Sequence, residues 1–444
     1  MTAVITGMGL FTPAGRGVDE TFGALTTGRS GLRRPPEGHP ARDCLEVAGV
    51  LPEVDPRSVA SGPETKVLDR IVLLALITAA EALADAGIEV GRDVDPDRIG
   101  VIVGGVGGMS TLESQVLARA ARGRAAVSPY LLTGILPNMP SARIAIAHGI
   151  RGYSSAVGTA CASGAQAVAD AVRLIRAGEA DVVLCGASEA PLFPTFADTF
   201  GNARALARGW DEPTEASRPF DNRRNGFVLA EGAALLVLER AEHAAARGVT
   251  GYAEVAGYGV NSDAYHPTAP RPDGAGAAGC MRRALAGGGV QPGQVGYVNA
   301  HGTGTKLGDI AETTALAEVF GVGGVPVSST KALTGHLLGA SGVLEAAATA
   351  LALGRGLLPP TYHLDDPDPD CAADHIRTAP RATRAEYALT NSFGFGGQNV
   401  SLLLRRLAGD CSGPRRGDRR AEPQWSSAAR RAAGAATPAA GTGR

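Results

Sequence analysis

The chain has 444 residues, 44% of them hydrophobic, and its 42 basic and 44 acidic residues leave a formal net charge of −2. Such a chain is long enough to bury one large core or two cores packed together, and its balanced charge excludes a global attraction to nucleic acid or to an anionic membrane. The opening residues show no basic leader, and the densest apolar stretch, residues 71–87, contains Glu81 and Asp85. We therefore expect neither a signal peptide nor a membrane span.

Six cysteines are scattered along the chain without a CxxC or CxxxC pair. Zinc sites and disulfide frameworks both need patterned cysteines, so neither is expected here. We predict a protein of the reducing cytoplasm that binds no metal.

Short apolar runs rich in β-branched residues alternate along the chain with alanine-rich segments of helical pattern. This alternation predicts an α/β protein in which helices cover sheets. A helix is expected over residues 165–177, and a second series of strand and helix signals begins near residue 250. The sequence therefore predicts two lobes, residues 1–250 and residues 251–407, although their self-similarity is too weak to indicate a repeat.

Residues 399–407 are typical of a closing strand, and the composition changes directly after them. Residues 408–444 are rich in Ala, Gly, Pro, Ser and Arg, and Trp425 is their single large apolar residue. A segment of this composition cannot bury a core of its own, so we predict a disordered tail.

The stretch VGTACASGAQAV, residues 157–168, sets Cys161 among small residues where a strand is predicted to lead into a helix. The N-terminus of a helix favours an anion, so the pKa of this thiol is expected to fall below the ordinary value of about 8.5. Gly158 and Gly164 allow the tight backbone of a nucleophile elbow. The residues alone leave two interpretations open, a nucleophile and a buried structural cysteine.

Two further segments, NAHGTGTKLGDIAE and SSTKALTGHLLGASG, place His301 and His336 in glycine-rich settings, and His336 follows Lys331 by five residues. The segment NSFGFGGQN, residues 391–399, has a backbone flexible enough to direct an N–H group at a substrate. Each histidine taken alone is more typical of a satisfied polar side chain than of a catalyst. Together the segments indicate one convergent site, and no metal-ligand spacing joins them.

The segments GTACASG, NAHGTGTKLGD, STKALTGHLLGASG and NSFGFGGQN, in this order, resemble the β-ketoacyl-acyl carrier protein synthases, specifically the elongating type II enzymes with a Cys-His-His triad. The opening AVITGMGLFTPAG and residues 217–240 are also similar to that family, so the resemblance covers residues 1–407. It implies a thiolase fold, an α/β body of five αβαβα layers built from two similar halves. It also implies acyl carrier protein as a partner, and either a homodimer or a heterodimer with a chain-length-factor-like subunit.

The resemblance implies a condensation chemistry for the triad. Cys161 would accept an acyl group as a thioester, after which a malonyl thioester would lose CO₂ and its carbanion would attack the acyl carbonyl. His301 and His336, if neutral, would each donate an N–H group to the developing enolate. No separate cofactor is implied, because the substrates arrive on the phosphopantetheine arm of acyl carrier protein.

The resemblance also implies supporting roles for four charged residues. Lys331 would orient His336 and the carboxylate of Glu345, while Asp309 and Glu312 would support the loop that carries the other histidine. Ordinary salt bridges between loops are the alternative interpretation of all four.

Phe395 matches the gate of the family, and the flanking Gly394, Gly396 and Gly397 would serve as its hinges. The backbone N–H groups of Phe395 and Cys161 would hold the carbonyl oxygen of the acyl thioester.

Several peripheral residues match positions of the family pattern less specifically. Thr268 is expected near the pantetheine arm, and Met109 is expected to line the acyl pocket unless it is simply a core methionine. Because acyl carrier protein is acidic, a basic patch is expected on its docking face. The candidates are Lys66, Arg122, Arg124 and Arg204, and plain surface charge is their alternative.

Rival functions are an active subunit of a ketosynthase/chain-length-factor heterodimer, a coenzyme A-dependent acyltransferase of the thiolase fold, and a noncatalytic partner subunit. The presence of Cys161 and both histidines argues against the last. A dinucleotide-binding oxidoreductase is disfavoured, because neither GGVGGMS nor TGMGLFT completes the GxGxxG pattern. A fatty acyl, polyketide or polyene product stays open at this point.

Overall fold

The computed structural model describes residues 1–59 and 63–407. The tail predicted to be disordered, residues 408–444, lies outside the described residues.

The described chain is built from helices and strands joined by loops and short 3₁₀ turns. Its helices are α1 (Val18–Thr27), α2 (Arg70–Ala86), α3 (Met109–Arg122), α4 (Leu131–Ile135), α5 (Met139–His148), α6 (Ser163–Arg176), α7 (Pro194–Asn202), α8 (Ala241–Ala246), α9 (Ala275–Gly288), α10 (Lys306–Phe320), α11 (Lys331–Thr334) and α12 (Gly339–Arg355). Its strands are β1 (Ala3–Thr12), β2 (Gly15–Arg16), β3 (Leu32–Arg33), β4 (Ala48–Gly49), β5 (Ile99–Gly104), β6 (Ser154–Val157), β7 (Val182–Glu189), β8 (Gly232–Arg240), β9 (Ala253–Ser262), β10 (Val295–Asn299), β11 (Pro326–Ser328), β12 (Leu357–Leu358), β13 (Asp374–His375), β14 (Arg381–Ala382), β15 (Tyr387–Gly394) and β16 (Gln398–Arg406). The predicted helix over residues 165–177 is α6, and the predicted closing strand is β16.

The main sheet consists of two similar halves. The strand order is β1-β8-β7-β5-β6 in the first half and β9-β16-β15-β10-β11 in the second. In both halves the first two pairings of this order are antiparallel and the last two are parallel. The halves join where β1 pairs with β9 through Val4 and Ile5. The two similar halves that the resemblance implied are therefore confirmed, while a domain boundary at residue 250 stays a prediction.

Helices α6 and α12 lie between the two halves of the sheet. Val168 and Val172 of α6 belong to one buried apolar cluster with Val343 and Leu344 of α12 and with side chains from both halves. On the outer face of the first half, α2 and α5 pack against the sheet, and α9 and α10 do so on the second half. The layers thus follow the order αβαβα, which confirms the expected five-layer thiolase fold.

Glycines in the first strand of each half allow a helix to approach the strand closely. A Cβ atom on Gly9 of β1 would lie 1.9 Å from the carbonyl oxygen of Thr78 in α2. A Cβ atom on Gly259 of β9 would lie 1.9 Å from the carbonyl oxygen of Cys280 in α9. Such distances are far inside van der Waals contact, so only glycine fits at either position.

The candidate functional segments follow the ends of the parallel strands. Cys161 follows β6, His301 follows β10, His336 follows β11 and Phe395 follows β15. Open α/β sheets bind their ligands at the carboxyl ends of such strands. The duplicated fold therefore gathers segments that are far apart in the sequence.

Within residues 1–59 and 63–407, no helix combines the length and the hydrophobicity that a membrane span requires.

Candidate active site

Cys161 lies in a 3₁₀ turn, Ala160–Ala162, between β6 and α6. Ala160 has a φ of 48°, a left-handed conformation that is strained for a residue with a side chain. Ser163 holds the turn in place, because its Oγ accepts the N–H of Thr159 at 2.9 Å and donates to the carbonyl of Ala160 at 2.7 Å. The cysteine therefore stands on a sharp elbow at the start of a helix.

Burial raises the pKa of Cys161 to about 12, and the nearby carboxyl of Glu189 adds to this rise. Lys331 and the hydrogen-bonding N–H groups of Phe395 and of Cys161 itself lower the pKa by less. The predicted fall below the ordinary value is therefore wrong. The reason is that the charge of Lys331 and the two amides do not compensate for the loss of hydration at the sulfur.

Sequence reasoning missed Glu189, the last residue of β7, whose side chain is fully buried. One carboxyl oxygen accepts the N–H of Gly339 at 3.2 Å, and the carboxyl also accepts the N–H of Val106. Burial raises the pKa of Glu189 to about 8, so the group is mostly protonated at pH 7. The apolar run DVVLC ends at Cys185, and Glu189 follows it by four residues. An acidic residue directly after a predicted buried strand was therefore the available signal.

The imidazole rings of His301 and His336 are neighbours, with centroids 5.3 Å apart and planes at 83°. Burial lowers the pKa of both rings well below the ordinary value of 6.5, and the charge of Lys331 lowers both further. Both rings are therefore neutral at pH 7. Each then offers one N–H donor and one nitrogen acceptor.

His336 is held firmly by the residues around it. Its side chain is almost fully buried, and the ring of Phe227 packs edge-on against it at 5.4 Å between centroids. Its backbone N–H donates to the carbonyl of Val228 at 2.7 Å, and its own carbonyl accepts the N–H of Ala230 at 3.0 Å. A second residue that sequence reasoning missed, Ser341, contacts the ring nitrogen Nδ1 at 3.1 Å.

Two buried carboxyl groups of α10 hold the loop that carries His301. Glu312 accepts the backbone N–H groups of His301 at 2.9 Å and Gly302 at 2.7 Å. Asp309 accepts the N–H of Gly304 at 3.1 Å. Burial raises the pKa of both carboxyls, that of Asp309 to about 7. These contacts fix the direction in which the loop leaves β10.

Lys331 and Glu345 form an ion pair in which each side chain is only 1% exposed. Burial raises the pKa of Glu345 to about 7, and Lys331 opposes that rise. The charge of Lys331 also lowers the pKa of His301 and of His336. A proton on either imidazole is therefore disfavoured.

Phe395 lies in the glycine-rich turn between β15 and β16. Gly396 and Gly397 have φ values of 83° and 71°, a conformation that favours glycine. The N–H of Gly396 donates to the carbonyl of Pro267 at 2.6 Å, so the turn is tied to the loop after β9. The ring of Phe395 is 44% exposed and lies 6.2 Å from the ring of Phe200.

Gly394 lies directly against the cysteine elbow. A Cβ atom on this residue would lie 2.6 Å from the carbonyl oxygen of Thr159 and 3.2 Å from the backbone nitrogen of Cys161. The absence of a side chain at Gly394 thus brings the Phe395 amide to the cysteine sulfur.

Thr268 and Met109 are both exposed. Thr268 follows Pro267, whose carbonyl accepts the N–H of Gly396. Met109 begins α3 and is 41% exposed, and the apolar cluster against which Cys161 packs does not include it. That cluster includes Leu192, Phe227 and Leu338, with Phe196 and Phe200 packed against it. The role of Met109 in an acyl pocket stays a prediction.

The four candidate residues of the basic patch are all exposed. Lys66 lies in the 3₁₀ turn before α2, and Arg122 lies at the end of α3. Arg124 follows α3, and Arg204 follows α7. Helices α3 and α7 are in contact, since the Thr195 hydroxyl donates to Glu113 at 2.5 Å. Docking at this patch stays a prediction.

Within the described residues, no group of three or more His, Cys, Asp or Glu side chains is placed to bind a metal ion.

The duplicated five-layer architecture makes this chain a protein of the thiolase fold. Its cysteine elbow and two neutral imidazoles are those of an acyl-transferring enzyme. Comparison with known proteins narrows this class. The family model described as beta-ketoacyl synthase, N-terminal domain, matches residues 2–244, and the model of the C-terminal domain matches residues 252–365. The 3-oxoacyl-[acyl-carrier-protein] synthase 2 of Vibrio cholerae is 40% identical over 409 residues, which are 91% of this chain and 99% of the relative.

Solved structures agree with this result. A type II PKS acyl-carrier protein in complex with its ketosynthase, bound to the hexaketide, matches with a TM-score of 0.84 and 31% identity, covering 91% of this chain and 99% of the other. The ishigamide ketosynthase/chain length factor matches with a TM-score of 0.84 and 32% identity, with the same coverage. The chain belongs to the β-ketoacyl synthase family. It is a condensing enzyme of the acyltransferase class.

Proposed function

We propose that the enzyme elongates an acyl chain by decarboxylative Claisen condensation on Cys161. In the first step the acyl group moves from a carrier thioester to the Cys161 sulfur, and the carrier thiol leaves. A malonyl thioester then loses CO₂, and the electron pair of the broken C–C bond becomes an enolate. The enolate carbon attacks the Cys161 thioester, so that a new C–C bond forms and the C–S bond to Cys161 breaks. The released cysteine thiolate then takes up a proton from solvent.

The observation that carries this proposal is the pair of neighbouring neutral imidazoles. Phe227 links this pair to the nucleophile, because it packs on the His336 ring and belongs to the apolar cluster against which Cys161 packs. Decarboxylation itself generates the carbanion, so the site needs hydrogen-bond donors rather than a strong base. Neutral rings of His301 and His336, 5.3 Å apart, are suited to donate to one thioester oxygen as negative charge develops on it. Donors of this kind contribute about 3 kcal/mol each to transition-state stabilisation.

A second set of donors serves the acyl group on the cysteine. The backbone N–H groups of Phe395 and Cys161 already hydrogen-bond to the sulfur. In the thioester these amides hold the carbonyl oxygen, which becomes negative when the enolate attacks. Phe395, on its turn with Gly394 and Gly396, acts as the gate that admits the second substrate after the first has reacted.

Charged residues around the triad support this chemistry indirectly. Lys331, paired with Glu345, keeps the imidazoles neutral and oriented. Asp309 and Glu312 hold the backbone of the His301 loop through the hydrogen bonds described above.

The substrates arrive on the phosphopantetheine arm of acyl carrier protein, and no further cofactor takes part. Support comes from the Vibrio cholerae relative, whose name includes acyl carrier protein, and from the ketosynthase solved with its carrier protein. Thr268 contacts the arm, Met109 contacts the acyl chain, and the exposed basic patch of Lys66, Arg122, Arg124 and Arg204 attracts the acidic carrier. The proposal includes a cytoplasmic location, which the scattered cysteines without patterned pairs support.

The enzyme works as a dimer, as a homodimer or with a chain-length-factor-like subunit. The first half of the sheet ends at β6, and exposed apolar side chains flank this edge, among them Leu132, Ile146 and Tyr153 at 63%, 64% and 49% exposure. An unpaired sheet edge beside a large apolar patch is typical of an interface. The ketosynthase/chain length factor structure supports the second arrangement.

Mass spectrometry of the intact enzyme tests the nucleophile. We expect one acyl adduct after incubation with acyl carrier proteins that bear chains of several lengths, and the length that accumulates identifies the substrate class. Cys161→Ser should lose this adduct, and its condensation rate should fall about a thousandfold or more. Cys44→Ser is the matched control, since Cys44 is also half-buried and packs against the same apolar cluster. Full condensation by the Cys161 variant would overturn the proposal.

A further inference from the structure

A buried hydroxyl group contacts the ring of His336 on the side of Nδ1. Ser341 is the third residue of α12 and is 1% exposed. Its Oγ lies 3.1 Å from Nδ1 of His336 and 2.9 Å from the backbone nitrogen of Leu337. The hydroxyl therefore has two close polar neighbours and almost no access to water.

The direction of these two hydrogen bonds follows from the donors available. The N–H of Leu337 is a donor only, so Ser341 Oγ is the acceptor in that bond. The hydroxyl has one hydrogen, and among the described residues Nδ1 of His336 is the one other partner of this oxygen. If Nδ1 carried the proton instead, the buried hydroxyl would donate to nothing, which costs free energy. The favoured arrangement has Ser341 donating to an unprotonated Nδ1.

A neutral imidazole carries one proton, so an unprotonated Nδ1 leaves the proton on Nε2. We propose that Ser341 is a positioning residue that fixes His336 in the tautomer with the proton on Nε2. In this tautomer the ring presents a donor, rather than an acceptor, to the substrate. The inference rests on the proposed function, because the donor is useful only where an enolate oxygen must be stabilised.

The other imidazole of the pair has no comparable partner. Nδ1 of His301 is buried and makes no hydrogen bond to any residue that the structure describes. The hydrogen bond from Ser341 thus distinguishes His336 from His301, and the tautomer of His336 is the one set by the protein.

The first test measures the tautomer in the wild-type enzyme by ¹⁵N NMR of protein labelled at its histidines. The signals of His336 are assigned as those missing from His336→Gln. We expect a pyridine-type Nδ1 and a pyrrole-type Nε2 at pH 7. A pyrrole-type Nδ1 would overturn the proposal without the need for any Ser341 variant, and this readout does not depend on catalysis.

The second test compares the half-reactions of Ser341→Ala, measured as acylation of Cys161 by acyl carrier protein and as CO₂ release from malonyl carrier protein. Loss of a hydrogen bond of ordinary strength corresponds to about a fivefold effect. We expect CO₂ release to fall by about that factor. Acylation should stay within about twofold of the wild type, which is less than the effect of losing one ordinary hydrogen bond. Ser341→Thr keeps the hydroxyl and should restore CO₂ release.

Thr349→Val is the matched control for a structural effect. Thr349 is a fully buried hydroxyl residue of the same helix, and it donates to the carbonyl of Glu345 at 2.7 Å. Its loss should leave the ¹⁵N signals of His336 unchanged. Parallel losses in both half-reactions of Ser341→Ala, with unchanged His336 signals, would overturn the proposal. If the wild-type enzyme releases no CO₂ at all, the proposed function fails, whereas the tautomer measurement still decides the role of Ser341.

Discussion

Cys161 carries out its proposed role from a site that disfavours charge. Its pKa is raised to about 12, the pKa of Glu189 is raised to about 8, and both imidazoles are neutral at pH 7. Transfer of an acyl group between two thiols leaves the net charge unchanged, because the proton of Cys161 replaces the acyl group on the carrier sulfur. A site that disfavours a free negative charge on the sulfur is therefore compatible with this step.

Glu189→Gln should make Cys161 more reactive at alkaline pH. The wild-type carboxyl has a pKa of about 8, so above that pH it is ionised and disfavours the neighbouring thiolate. Glutamine removes this charge, so the pKa of Cys161 should fall. We expect alkylation of Cys161 by iodoacetamide at pH 9 to be about three- to tenfold faster than in the wild type, since one pKa unit is a tenfold change in thiolate. Glu37→Gln, at an exposed position, is the control, and an unchanged rate in the Glu189 variant would contradict the assignment.

The cysteine elbow and the glycine-rich turn after β15 act as one unit at the scale of structural elements. The elbow comes from the first half of the fold and the turn from the second, and they touch where Gly394 lies against Thr159. This contact brings the Phe395 amide to the sulfur. The amides proposed to bind the oxyanion therefore depend on one position without a side chain.

Gly394→Ala should separate the two elements. The added Cβ atom would lie 2.6 Å from the carbonyl oxygen of Thr159, so the turn or the elbow must move and the Phe395 amide must leave the sulfur. Loss of one such donor corresponds to about a hundredfold loss of rate, which should be visible in the acylation of Cys161. Gly293→Ala is the control, because a Cβ atom there meets no other atom within 4 Å. Acylation of the Gly394 variant at the wild-type rate would refute this view of the contact.

At the scale of the whole molecule, the exposed apolar face beside β6 is the surface that a partner subunit would cover. We expect Ile146→Glu to convert the dimer into a monomer, because a charge cannot be buried at an interface without a partner. Light scattering of the purified enzyme measures the change. Val322→Glu, at a 75% exposed position in the second half, should leave the dimer intact. A wild-type enzyme that is monomeric alone would favour the heterodimer.

Buried carboxyl groups also make the stability of the whole molecule dependent on pH. Burial raises the pKa of Glu189 from the ordinary 4.5 to about 8. A group with a raised pKa contributes stability that is fully present below its unfolded pKa and is lost as the pH rises through its folded pKa. The melting temperature of the wild type should therefore fall more between pH 5 and pH 9 than that of Glu189→Gln. Parallel curves for the two proteins would contradict the raised pKa.

The fold was predictable from short segments of sequence, and most residues of the candidate site come from the same segments. The segments around Cys161, His301, His336 and Phe395 specify residue types and glycines that this chemistry needs locally. The duplication was less visible, because the two halves keep their strand order but little sequence. The duplication is visible in the sequence as two similar short segments, GMG in β1 and GYG in β9. Gly9 of the first segment lets α2 approach β1, and Gly259 of the second lets α9 approach β9.

The pKa of Cys161 and the roles of Glu189 and Ser341 could not be read in the same way. Glu189 is 28 residues after the cysteine in the chain and becomes its neighbour only when β7 pairs beside β5. Ser341 is close to His336 in sequence, yet the direction of its hydrogen bond depends on the burial of both residues and on the N–H of Leu337.

Short segments of the sequence were enough to predict the side chains of the proposed reaction and their convergence on one candidate site, because a nucleophile, hydrogen-bond donors and tight turns are properties of residue types. Which of these groups carry a proton depends on the folded protein. Desolvation and charge interactions depend on distances between segments that lie far apart in the chain, and these distances exist only in the folded protein.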